Sequence, residues 1–110
     1  DDHDNNSYLI SLREGLFQLD DKYPRPDFIF INLGGDPYEK DSLKSSELIK
    51  LNRDQMLQRN KMLYRFVKEI NVPTLWTMGG GYGEFSFETY VDFFESINDQ
   101  VREADTFEVV

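Results

Sequence analysis

The chain of 110 residues contains no cysteine, a single histidine and a single tryptophan. Lacking cysteine, it has no disulfide framework, no thiolate metal site and no cysteine nucleophile. The one histidine, His3, stands in an acidic opening, Asp1-Asp2-His3-Asp4. A frayed, disordered lead-in over residues 1–6 is expected there in preference to a metal site, because chain ends are seldom held rigid. Basic residues are also scarce, 12 against 21 acidic ones, for a net charge of −9. That balance argues against a partner with a phosphate backbone, so no direct nucleic-acid contact is expected. An acidic surface more often serves solubility than the capture of a cationic substrate. No apolar run approaches the roughly 18 residues of a membrane span, and nothing signal-like opens the chain. A soluble intracellular protein, cytoplasmic or nuclear and without a membrane partner, is the expectation.

What remains is enough for a core. Hydrophobic residues make up 39% and aromatics 15%, a composition of globular rather than disordered chains. The length fits one α/β domain over residues 1–110, or a piece of one. Tyr8, Leu12, Leu16, Leu19 and Tyr23 fall at helical spacing and form one stripe of a helix expected to pack on a sheet. Asn6 or Ser7 would cap it, and Pro24 and Pro26 end it. Residues 28–33 run apolar except for Asn32, which suits a parallel strand covered on both faces.

A loop opens at Pro37, and a helix is expected from about Arg53 to Ile70. Residues 72–78 then form a second strand. Phe87, Tyr90, Val91, Phe94, Ile97 and Val101 give the stripe of a final helix, and residues 105–110 a tail, either an edge strand or disordered. The order helix, strand, helix, strand, helix implies two parallel strands joined by a right-handed crossover. Two strands alone would leave exposed edges through which the chain could associate.

The chemistry is expected where the strands end. In open parallel sheets, ligands bind beyond the carboxyl ends of the strands. Leu33-Gly34-Gly35-Asp36 follows the first strand and Gly79-Gly80-Gly81-Tyr82 the second. A carboxylate at such a rim can ligate a divalent metal or act as a base. A tyrosine hydroxyl beside it can donate to an oxyanion. Taken by spacing alone, Asp36 can equally be a turn former and Tyr82 a packing lid. The glycine run is no phosphate cradle, since no Lys-Ser/Thr follows and the next helix opens acidic at Glu84.

At these residues the sequence resembles a known family. Pro26-Asp27-Phe28-Ile29-Phe30-Ile31-Asn32-Leu33-Gly34-Gly35-Asp36 resembles the segment ending Gly-Ala-Asp in the histone deacetylase family. Acetoin-utilisation proteins and acetylpolyamine amidohydrolases belong to the same superfamily. Asp41-Ser42-Leu43 resembles its Gly-Asp-x-Leu loop, and Val72-Pro73-Thr74-Leu75-Trp76-Thr77-Met78-Gly79-Gly80-Gly81-Tyr82 its Gly-Gly-Gly-Tyr segment. The resemblance spans residues 5–100 or so. It implies a three-layer arginase/deacetylase-type α/β fold around a parallel sheet and a catalytic zinc. Asp36 would be one zinc ligand and Tyr82 the donor to the substrate carbonyl and its oxyanion. Gly79, Gly80 and Gly81 would line the tunnel for an acetylated lysine or amine.

The departures define how much of that fold this sequence holds. The family's histidine pair and its Asp-x-Asp-x-His-His zinc segment lie upstream of everything matched, and His3 falls outside the match. A catalytic zinc needs three protein ligands, so a C-terminal piece of a deacetylase, weak or inactive with zinc on its own, is the expected function. Two alternatives stay open. One is a non-catalytic binding or structural domain derived from the same fold. The other is an SGNH-type acylhydrolase fragment, although that block needs Asn where Gly35 stands, and a Gly-Asp-Ser nucleophile that the chain lacks.

Overall fold

Residues 26–33 enter the sheet through a proline and leave it through two glycines, and the backbone follows that script. A computed structural model describes residues 2–40, 50–80 and 84–108, with side chains over 7–40, 50–80 and 84–99. The elements are α1 (Asp2–Lys22), β1 (Ile29–Asn32), α2 (Arg53–Ile70), β2 (Thr74–Thr77) and α3 (Phe87–Glu108). The two strands pair in parallel, Ile29 with Thr74 through Asn32 with Thr77. The Leu33 N–H donates to the Thr77 carbonyl at 2.6 Å and carries the pairing one step further. Among the described residues the sheet has these two strands, so each keeps an unpaired edge. This is a small α/β piece with its helices linked in the expected order.

α2 has the clearest ends. Asn52 and Gln55 form a reciprocal capping box at its start, which satisfies two backbone donors that a helix otherwise leaves open. Asn71 closes it in the left-handed conformation at φ 59°, its N–H donating to the Val67 carbonyl. Asn and Gly are the residues that adopt this conformation with least strain. α2 and α3 lie on one face of the sheet, where Trp76 meets Tyr64 of α2 and Phe93 of α3 with ring centroids 6.4 and 5.3 Å away. A second buried cluster joins Tyr38, Leu51 and Met56, with Tyr8 of α1 against it.

Four expectations are corrected. The helix begins at Asp2, so Asn6 and Ser7 lie inside it and the lead-in is helical. No glycine or proline interrupts residues 2–14, and acidic side chains suit a helix N-terminus. At the other end α3 continues through Glu108, taking in residues expected as a strand or disordered tail. α1 packs on α2 rather than on the sheet, leaving Ile10, Phe17 and Leu19 exposed. Finally, β1 is covered on one face only. Ile29 and Ile31 turn inward, while Phe28, Phe30 and Leu75 are 54%, 58% and 50% exposed. Apolar residues on both faces make a strand able to be buried twice; whether it is depends on what packs against it.

Candidate active site

The two strand ends meet through their glycines. The Gly79 carbonyl lies 3.1 Å from where a Cβ on Gly34 would stand. A Cβ on Gly79 would stand 2.5 Å from Asn32 Oδ1, and that oxygen also faces the Thr77 hydroxyl at 3.3 Å. Gly80 has φ +81°, and a Cβ there would fall 2.7 Å from both carboxylate oxygens of Asp36. A side chain there would displace the Asp36 carboxylate, and the backbone itself favours glycine. The missing side chains therefore let Asn32 and Asp36 close onto the second strand's turn. Asp36 is half-buried there, at the carboxyl end of β1 and against the residue that follows Gly79.

Tyr90 of α3 seals the same junction from below. Its hydroxyl lies 3.3 Å from the Leu33 carbonyl and 3.2 Å from the Gly80 carbonyl. One hydroxyl proton can serve one acceptor at a time, so Tyr90 bridges both turns by sharing. The structure thus brings Asp36, Gly79 and Gly80 together. Gly81, Tyr82 and the Asp41-Ser42-Leu43 stretch lie outside the described residues.

The turn that carries Asp36 is fixed by a polar cluster. The Tyr38 N–H donates to the Gly35 carbonyl at 3.1 Å, and the Glu39 N–H to the Leu51 carbonyl at 2.8 Å. The Leu51 N–H donates to the Pro37 carbonyl, also at 2.8 Å. These bonds draw the two described ends of the connection, residues 37–39 and 51, into one short parallel bridge. Tyr38 is fully buried, and its hydroxyl donates to Glu88 Oε2 at 2.5 Å. Lys40 and Arg53 approach that oxygen at 3.7 and 3.9 Å. Arg53 is held in turn by a two-pronged pair with Asp92, at 2.7 and 2.9 Å.

The electrostatics follow from this geometry. Burial, then the bond to Glu88, push the Tyr38 phenol well above its ordinary range, so it stays a donor. The Tyr38 hydrogen bond, then Lys40 and Arg53, hold the Glu88 carboxyl below its usual value against the opposing effect of burial. Arg53 does the same for Asp92. Tyr38, Glu88, Arg53, Asp92 and Tyr90 were not legible as site residues. The partners stand 50 residues apart for Tyr38 and Glu88, and 39 for Arg53 and Asp92. Tyr90 left one trace, a hydroxyl within an otherwise apolar helical stripe.

Metal chemistry needs more than this rim provides. Among the described residues no group of three His, Cys, Asp or Glu side chains is placed to hold a metal ion. Asp36 is one carboxylate, and a catalytic zinc takes three protein ligands. The described residues do not make a zinc centre by themselves.

Fold and rim together define a small α/β piece with a parallel two-stranded sheet and a candidate site across its strand ends. Comparison with known proteins adds a distant likeness. Over 95 residues, the chain is 28% identical to Histone deacetylase 2 of Arabidopsis thaliana, a span covering 86% of this chain and 24% of that protein. The chain thus spans about a quarter of the relative it matches. No family model matches the chain, and no solved structure does. Among the described residues no helix is long and apolar enough to cross a membrane.

Proposed function

We propose that this chain supplies the C-terminal rim of a zinc-dependent deacetylase fold. In that reading Asp36 is one metal ligand, and Tyr82 donates to the carbonyl oxygen of an acetyl-lysine or acetyl-amine substrate. Gly79, Gly80 and Gly81 line the tunnel that leads to it. One observation carries the reading: the Asp36 carboxylate is seated against Gly80, where two adjacent parallel strands end. The 28% likeness to a plant histone deacetylase supports it. A hydrogen-bond donor set at the site of developing negative charge is worth about 10²–10³ in rate. A proton-transferring pair and two further ligands must come from residues outside this sequence, so the chain alone does not turn over.

The test is an amidase assay on an acetyl-lysine peptide with zinc. This chain alone gives no hydrolysis. A polypeptide extended upstream to carry the histidine pair and the two missing ligands does, and Asp36→Asn and Tyr82→Phe each lower its rate by about 10² or more. Turnover indifferent to both substitutions would overturn the assignment. A non-catalytic domain of the same descent is the second reading. An extended polypeptide that folds but never hydrolyses the peptide would select it.

A further inference from the structure

Two surfaces of this chain are complementary in charge, and both face solvent. The first is the groove between α1 and α2, about 1160 Å³ in volume. Arg13, Arg25, Lys61 and Arg65 line it, against Asp20 and Glu69. Four of the chain's 12 basic residues gather there, on a molecule with 21 acidic ones. The groove also exposes apolar surface from Leu16, Met62, Phe66 and Ile70, all half-buried. A groove of this build takes an amphipathic helix through its apolar face, with acidic flanks against the basic rim.

The second surface is α3. Glu88 and Asp92 are engaged by Tyr38, Lys40 and Arg53, and among its described side chains Glu95 and Asp99 are the exposed acidic ones. Its inner face is occupied by Phe93, which is buried against Trp76 and Tyr64. A second apolar stripe, Phe87, Val91 and Phe94, points outward and is exposed. The spacing i, i+4, i+7 puts the three on one side of the helix, with the exposed Glu95 one turn past Val91. A helix with an exposed apolar stripe and acidic side chains beside it complements a groove whose lining is net basic and partly apolar, and the same chain carries both.

We propose that α3 of a second copy docks in the α1–α2 groove, and that two copies exchange this contact to close a two-fold dimer. Reciprocal exchange satisfies both grooves at once, whereas a contact that did not close would build open chains. The contact covers the Phe87–Val91–Phe94 stripe and meets Arg65 and its neighbours with Glu95.

Sedimentation equilibrium over a concentration series tests this, with circular dichroism to confirm that each variant is folded. Wild type is expected to reach a dimer. Phe94→Lys leaves a monomer, and Arg65→Glu and Glu95→Arg each weaken the dimer about tenfold. Mixing the two charge variants one to one restores association, because each then offers the other a matched helix or groove. Arg65 and Glu95 are exposed, so these variants report even where Phe94→Lys fails to fold. A monomer at every concentration overturns the proposal. So does a dimer that keeps its affinity in any one of the three variants, since the contact would then lie elsewhere.

Discussion

Glu88 draws its partners from two separate segments: the Tyr38 phenol and Lys40 from one turn, and Arg53 from the start of α2. Both Glu88 and Asp92 have carboxyl groups held below their usual values in the folded chain. The unfolded chain titrates them at about 4.3 and 3.9. A depressed carboxyl favours the folded state above its unfolded value, and that contribution is lost as pH falls through the lower, folded value. Tyr38 works in the opposite direction. Its raised phenol means the unfolded chain ionises first, so stability falls as pH rises beyond about 10. Denaturation midpoints measured against pH are therefore expected to fall at both ends. Glu88→Gln keeps an acceptor for Tyr38 but removes the charge, and should make the acid limb shallower. An acid limb identical to that of wild type would show that the stability lost in acid does not come from Glu88.

The bounds of α2, from about Arg53 to Ile70, were legible from its apolar residues and the Asn71-Val72-Pro73 turn. The Asn52–Gln55 capping box and the left-handed Asn71 that fix those ends came from the structure. Truncating the cap with Asn52→Ala breaks both halves of the capping box and should destabilise the chain by about 1 kcal/mol. A denaturant titration that finds no change would mean that water or a neighbouring group replaces the cap. The parallel pairing was legible too, since two apolar runs flanking a helix leave little choice of topology. The meeting of Asp36 with Gly79 and Gly80 follows from that pairing, as both turns leave the same end of the sheet. The packing of α1 was not legible. Its stripe of Tyr8, Leu12 and Leu16 fits a sheet or a helix equally, and only the contact with α2 decides. The polar cluster stayed hidden for a related reason. Nothing local distinguishes Glu88 or Asp92 from the other acidic residues of α3 until the turn at Tyr38 is laid against them.

The molecule as a whole is more open than its length requires. Its radius of gyration is 15.1 Å, against roughly 13 Å for a compact domain of this size. One face of the sheet, one stripe of α3 and the α1–α2 groove all present apolar surface. An open rim cannot supply by proximity the ligands it lacks in sequence, and this bears directly on zinc. A ligand held at 100 times its dissociation constant stabilises a folded chain by about 2.7 kcal/mol, a shift that thermal or denaturant unfolding reads easily. With Asp36 as the one carboxylate that the described residues place at the strand-end junction, zinc in modest excess is expected to leave the unfolding midpoint where it was. Asp36→Asn should then behave like wild type in the same titration. A midpoint raised by zinc and restored by Asp36→Asn would show that this chain completes a metal site at the strand ends by itself. A rise abolished by His3→Ala instead would place the ion in the first turns of α1, away from the rim. Either result would replace the reading of Asp36 as one ligand among several drawn from a longer chain.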